Sequence, residues 1–308
     1  MSRILVTGAA GLIGGEVCAR LVAAGQRVTA LVHRNPEVRA NDGSEVAIAE
    51  AVPCDIRQDR LGLDAATFDR LAQAHDLIIH CAATIRFDLT DAEYEATNTR
   101  GTANVIALAQ AGGAGLLHVS TAYVCGTRDG VIREDDPPPE TGFANGYEAS
   151  KAAGERLVRA SGLDWAIARP GITLGEYESG RVRQFDALYM AFRLIAEGRI
   201  RLVPAGADAT LAFVPIDHVA GGIIAIAERI SAAHGGYFHL CAQSPLPAAE
   251  LAHAVSRVAH FPDPVPVNPE CLDLAGLPPA ERRVIARMWG TFGSYLSRDL
   301  RFDDSRFR

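Results

Sequence analysis

A short apolar run, Arg3-Ile4-Leu5-Val6-Thr7, gives way at once to Gly8-Ala9-Ala10-Gly11-Leu12-Ile13-Gly14 and then to an amphipathic stretch over residues 15–24. Three glycines spaced G-x-x-G-x-x-G between a strand and a helix allow few folds. The chain must turn tightly, the helix must pack close to the strand, and the first N–H groups of the helix are left open. Those N–H groups, together with the positive end of the helix, attract a phosphate. The segment therefore predicts a dinucleotide-binding turn, with Gly8, Ala10, Gly11, Leu12, Ile13 and Gly14 as contact residues.

Further along, apolar runs at 28–32, 46–53, 77–82, 116–120 and 165–169 alternate with helical patterns at 64–74, 99–111 and 147–160. Each parallel return needs a crossover long enough for a helix, so this alternation predicts an α/β fold: a doubly wound parallel sheet of the Rossmann type. After Pro170 the pattern loosens into helical stretches at 185–197 and 248–259, separated by segments rich in proline and glycine. A helix over 219–229 and a strand over 236–241 return to the main sheet in this reading. The expected division is a dinucleotide-binding domain of residues 1–171 and 206–241, and a smaller, discontinuous C-terminal substrate lobe of residues 172–205 and 242–308.

Charge and composition exclude several classes. A net charge of −7 gives no basic field for a phosphate backbone, so no nucleic-acid partner is expected. The longest apolar stretches, such as 221–227, break well before the roughly 18 consecutive residues that a bilayer span requires. The first strand reaches the glycine turn too early for a signal-peptide core, which predicts a cytoplasmic location. Six cysteines are scattered without a C-x-x-C pair or metal-spaced histidines, and are read as reduced, buried thiols with no metal site.

The end of the second strand bears on the choice of cofactor. An NAD site of this kind usually carries an acidic residue there for the ribose 2′-hydroxyl, whereas this chain reads Leu31-Val32-His33-Arg34. With no carboxylate to repel it and Arg34 able to pair with it, a 2′-phosphate is the better guest, and NADP is the expected cofactor. Asp55 and Ile56, just after the third strand, lie where the adenine would be held.

Tyr147 and Lys151 are four residues apart and share one face of a helix. An ammonium near a phenol lowers its pKa toward the working range of an acid or base. The pair gains weight from composition: among 30 basic side chains Lys151 is the single lysine, and all the others are arginines. Arginine has a broad planar head and does not share its proton, so a position that keeps lysine in such a chain points to a need for a compact ammonium.

These features resemble the extended short-chain dehydrogenase/reductase superfamily: the glycines, the Tyr147/Lys151 pair, Asn98-Thr99-Arg100-Gly101-Thr102 opening a helix, and Arg169-Pro170-Gly171. Within it, His80-Cys81-Ala82-Ala83-Thr84-Ile85-Arg86-Phe87-Asp88, Val119-Ser120-Thr121-Ala122-Tyr123-Val124, Asn145-Gly146-Tyr147 and the closing Tyr295-Leu296 to Phe302-Asp303 are most similar to the thioester-reductase and fatty-acyl-reductase branch. The resemblance implies that Thr121, with Ser120 beside it, polarises the substrate carbonyl, and that Asn98 steadies an active-site water or helix. It also implies that Pro170 and Ile172 cradle the nicotinamide amide, and that Cys81, Ala82 and Ala83 line the cofactor. His80, His118, His218 and His239 sit among apolar residues and are given no catalytic role.

The expected function is an NADPH-dependent oxidoreductase acting on a small-molecule carbonyl or thioester, with Thr121, Tyr147, Lys151 and Asn98 as its catalytic set. A nucleotide-sugar epimerase or dehydratase is the alternative, against which Gly171-Ile172-Thr173-Leu174-Gly175-Glu176 lacks the tyrosine-glycine-proline turn of that branch. A non-catalytic NADP-binding protein is the third reading. Homodimers are common in the superfamily.

Overall fold

A computed structural model describes residues 3–185, 187–258, 264–272 and 275–308. Its first part runs β1 (Ile4–Thr7), α1 (Leu12–Ala23), β2 (Val28–Val32), β3 (Glu50–Pro53), α2 (Ala65–Ala74), β4 (Leu77–His80), a single turn α3 (Asp91–Tyr94), α4 (Gly101–Gly112), β5 (Gly115–Val119), β6 (Gly130–Ile132), α5 (Gly146–Arg159) and β7 (Trp165–Pro170). There follow β8 (Ile172–Leu174), α6 (Ala187–Ala196), β9 (Leu202–Pro204), β10 (Thr210–Leu211), β11 (Phe213–Pro215) and α7 (Ile216–Ala227). The chain ends with β12 (Gly236–Leu240), β13 (Leu246–Pro247), α8 (Ala248–Ser256), β14 (Val265–Val267), α9 (Pro279–Phe292) and β15 (Leu300–Phe302).

Seven strands form one sheet in the order β12-β7-β5-β4-β1-β2-β3, and every pairing in it is parallel. The chain winds outward from β1 to β3 and then returns to β4 on the other side of β1. Strand order therefore reverses between β1 and β4, and the carboxyl ends of strands at such a reversal are where sheets of this kind bind ligands. Residues of β1, β2, β4 and β5 are all buried, as a sheet covered on both faces requires. Successive side chains alternate between two cores. Val6 joins Val17, Val219 and Ile223 under α1 and α7, while Leu5 joins Leu71, Val105 and Ile167 under α2 and α4.

Several elements differ from expectation. The strand expected over 46–53 begins only at Glu50, because the residues before it bond to the preceding loop and to each other: the Val46 N–H donates to the Val38 carbonyl at 3.0 Å and the Ile48 N–H to the Val46 carbonyl at 2.8 Å. The helix expected from residue 99 begins at Gly101 and is preceded by a wider, π-helical stretch, Glu95–Arg100. Helix α7 starts at Ile216, and β12 lies beside β7 at the sheet edge. Asp186 and Ala259, inside expected helical stretches, and Met1 and Ser2 lie outside the described residues.

Beyond the large sheet, short strands pair as β8 with β11, β9 with β14, β10 with β13, and β6 with β15. A third core gathers Tyr123, Ile132, Leu211, Tyr295 and Phe302, and a fourth gathers Ile195, Ile200, Val203 and Val255. Helix α5 is tied to β7 by a fully buried bidentate pair, Arg169 to Glu155 at 2.8 and 3.0 Å, with the guanidinium 4.3 Å from the centre of the Tyr237 ring. All six cysteines are free; Cys18, Cys125 and Cys241 are buried, but Cys271 is exposed, contrary to the expected burial. Among the described residues no helix is long and apolar enough to cross a membrane, and no cluster of His, Cys, Asp or Glu is placed to hold a metal ion.

Candidate active site and cofactor crevice

The glycine turn sits at the strand-order reversal. Gly8 has a φ of +67°, and a Cβ there would fall 2.7 Å from the Ala82 backbone at the exit of β4. At Gly14 a Cβ would fall 2.3 Å from the Gly8 carbonyl oxygen. These two approaches, with the Gly11 N–H on the Gly8 carbonyl at 2.9 Å, bring α1 down onto β1. The N–H groups of Leu12, Ile13 and Gly14, in the first turn of α1, have no intrahelical acceptor and open into the crevice. Ala10 lies in the same turn, and Cys81, Ala82 and Ala83 form its other wall. The Cys81 N–H donates to the Thr7 carbonyl at 3.2 Å, and the Ala82 N–H to the Thr7 hydroxyl at 3.2 Å.

At the far end of β2, Arg34 is exposed and makes no hydrogen bond or ion pair among the described residues. Asp55, at the exit of β3, is engaged by Arg57 at 2.7 and 2.8 Å, with His33 3.8 Å away. The Arg57 side chain holds the Asp55 carboxyl well below the usual carboxylate range. Ile56 packs where a Cβ on Gly101 would be 2.8 Å from its Cδ1, and its carbonyl accepts from Asn104 at 2.8 Å. An open turn of N–H groups at one end and a free guanidinium at the other fit a nicotinamide dinucleotide.

Helix α5 carries the second half of the site. The Asn145 side chain caps it by accepting from the Glu148 N–H at 2.9 Å, which puts Tyr147 in the first turn and Lys151 one turn on. Lys151 is 2% exposed; its Nζ donates to the Val119 carbonyl at 2.8 Å and lies 3.4 Å from His118 Nε2. Burial pulls its pKa down to about 8, opposed by the charge of Glu155. His118 is held well below its ordinary value, by burial first and then by the Lys151 charge, so it is neutral beside the ammonium.

Thr121 follows β5 and is 5% exposed; its hydroxyl accepts from the Tyr123 N–H at 3.3 Å and reaches the Pro170 carbonyl at 3.5 Å. The same side chain lies close enough to the Tyr147 phenol to favour its ionised form. Burial pushes that phenol up to about 12, Thr121 pulls the other way, and Lys151 makes no contribution. The expected lowering of the Tyr147 pKa by Lys151 is therefore corrected: desolvation of the phenolate outweighs its neighbours. Asn98 does not cap a helix. Its carbonyl oxygen accepts from the Thr84 N–H at 2.8 Å and its amide donates to Thr84 and to the Ser150 hydroxyl, stitching the loop after β4 to α5. Pro170 ends β7 and Ile172 begins β8, joined by Gly171, whose Cβ would strike the Ala212 carbonyl at 2.3 Å.

Three features escaped the sequence reading. His118, set aside as a core histidine, touches Lys151. Phe87 meets Tyr147 edge to face at 5.8 Å and Phe292 of α9 at 5.7 Å, giving the phenol an aromatic wall. Arg183 reaches the glycine turn from beyond β8, donating to the Gly11 carbonyl at 2.9 Å. The solitary lysine is a signal that could have prompted a search for its acceptor, and Phe87 falls in the 80–88 segment that carries the resemblance, but nothing local to residues 183 or 292 marks them.

Fold and site together define a dinucleotide-binding fold of the extended short-chain dehydrogenase/reductase type. Residues 6–223 match the NAD-binding family described as male sterility protein, and the chain belongs to this family, in its thioester-reductase branch. An isonitrile lipopeptide synthase of Streptomyces coeruleorubidus is 30% identical over 72% of this chain, which spans 16% of that protein's length. A 3-diazoavenalumate denitrifying reductase of a Streptomyces species is 29% identical, with 85% of this chain and 83% of the relative covered. Among solved structures, the terminal R domain of the myxalamid PKS-NRPS biosynthetic pathway superposes with a TM-score of 0.86 at 26% identity, over 99% of this chain and 84% of that one.

Proposed function

We propose that this protein is an NADPH-dependent reductase that converts a small carbonyl substrate, an acyl thioester, aldehyde or ketone, to the corresponding aldehyde or alcohol. The observation that carries the reading is the convergence of Thr121, Tyr147 and buried Lys151 at the carboxyl end of β5, next to the glycine-turn crevice. Bound NADPH supplies hydride to the carbonyl carbon. In this reading Tyr147 gives its proton to the carbonyl oxygen while the Thr121 hydroxyl donates a hydrogen bond to the same oxygen as charge develops on it. A phenol pushed up to about 12 stays protonated at neutral pH, as a proton donor must. Lys151, anchored to the Val119 carbonyl, would hold the nicotinamide ribose, and Asn98 holds the loop after β4 against α5.

Arg34, free of partners, takes the 2′-phosphate, and this is the basis for NADPH over NADH. A thioester would give a hemithioacetal that collapses to aldehyde and thiol; an aldehyde or ketone would give the alcohol. The substrate lobe of residues 172–205 and 242–308 contributes α9, whose Phe292, with Phe87, suits an apolar group next to the reacting carbon. A panel of acyl-CoA thioesters, aldehydes and ketones, scored by loss of NADPH absorbance, tests the proposal. Oxidation of NADPH by at least one class is expected, and none with any of them would overturn it.

A further inference from the structure

Residues 175–183, between β8 and α6, form a tight strap against the nucleotide half of the molecule. The Glu176 N–H donates to the Arg181 carbonyl at 2.9 Å, and the Gly180 N–H to the Glu176 carbonyl at 2.8 Å. Buried Asn41 fastens the strap: its amide nitrogen donates to the Arg181 carbonyl at 2.8 Å and to Glu176 at 3.2 Å, and its oxygen accepts from the Arg183 N–H at 3.1 Å. Asn41 is itself bound to Glu16 of α1 at 2.9 Å. The backbone of Arg183 is thus fixed beside the start of that helix.

Its side chain lies on the glycine turn. Nη2 donates to the Gly11 carbonyl at 2.9 Å and to the Ala10 carbonyl at 3.3 Å, while Nε is buried without any partner. A guanidinium carries five N–H donors, so most of this one's are unused among the described residues. No carboxylate there pairs with it; the charge that acts on it is another cation, Arg39, which together with burial pushes its pKa down. A half-buried guanidinium without a counter-ion among the described residues, its Nε buried and unpartnered and its Nη2 seated on a phosphate-binding turn, calls for an anion at that position.

We propose that Arg183 is a cofactor-binding residue, whose guanidinium takes the pyrophosphate of the dinucleotide held at the turn of residues 8–14. The proposal rests on the nicotinamide-reductase reading and extends it, because the strap belongs to the segment expected to hold substrate. Arg183 then serves the part common to NADPH and NADH, whereas Arg34 serves the 2′-phosphate alone.

Binding of NADPH, NADH and adenosine 2′-monophosphate is measured by calorimetry for the wild type, Arg183→Gln and Arg183→Lys, with thermal melts to confirm folding. Arg183→Gln is expected to weaken both dinucleotides by roughly tenfold or more, and Arg183→Lys by less, since charge remains but the fork is lost. Adenosine 2′-monophosphate, which lacks the pyrophosphate, is expected to bind all three proteins alike. Unchanged dinucleotide affinity in folded Arg183→Gln would overturn the proposal, as would a loss confined to NADPH and the monophosphate. If the wild type binds neither dinucleotide, the reductase reading itself falls, and this proposal with it.

Discussion

His118 Nε2 lies 3.4 Å from Lys151 Nζ, beneath the Val119 carbonyl that takes the same ammonium at 2.8 Å. The two groups come from adjacent elements, β5 and α5, and neither is open to solvent. Two positive charges at this separation in a buried site would repel strongly, so the ring stays neutral and offers Nε2 as an acceptor. Lys151 is held from the sheet side by one carbonyl and one imidazole, which leaves a compact head aimed along the crevice.

That geometry predicts the outcome of the most conservative substitution. Lys151→Arg keeps the charge and introduces a residue that the chain uses everywhere else, yet a planar guanidinium does not fit between His118 and the Val119 carbonyl. The rate of carbonyl reduction is expected to fall by roughly two orders of magnitude or more, with folding verified by thermal melting. A near-normal rate would reduce the solitary lysine to an accident of composition.

Tyr147→Phe removes the proposed proton donor and leaves the glycine turn untouched. Turnover is expected to disappear while NADPH affinity stays within a few fold, measured by fluorescence titration on the same preparation. Appreciable turnover by the phenylalanine variant would assign proton donation elsewhere.

Arg34→Asp separates the two nicotinamide cofactors. The substitution removes the expected 2′-phosphate partner and adds a repelling charge, so NADPH should weaken by more than roughly tenfold and NADH should change little. Equal losses for both would show that Arg34 does not read the 2′-phosphate.

The nucleotide half was legible because its signals are local. The strand, glycine turn and helix of residues 4–23 and the continuous apolar runs of β4 and β5 need no distant partner to be recognised. Boundaries slipped where contacts outside the strand override the pattern, as at β3, where Val46 bonds to Val38 of the preceding loop and the strand begins only at Glu50. The sense of the Tyr147 shift was misjudged for a related reason: helical spacing brings Lys151 to the same face but says nothing about desolvation, which dominates. Arg183 and Phe292 reach the site from a loop and a late helix, and sequence carries no local mark of such long-range encounters.

The buried ammonium makes a final prediction about stability. Lys151 has its pKa pulled from the ordinary 10.5 down to about 8 by burial. Between these values the folded chain has released the proton while the unfolded chain still holds it. The unfolded state therefore binds more protons in this window, and the contribution of Lys151 to stability rises with pH across it. Below about pH 8 both states are protonated and the folded state bears the full cost of an ammonium out of water. Lys151→Met keeps most of the stem and removes that cost. The excess stability of the methionine variant over wild type is expected to be greatest at neutral pH and to shrink steadily as the pH rises from about 8 toward 10.5. Urea unfolding of both proteins across this range measures the difference directly, and the comparison cancels groups that titrate alike in the two. A difference that stays constant with pH would mean that Lys151 keeps an ordinary lysine pKa, and that the ammonium is better solvated than its burial implies.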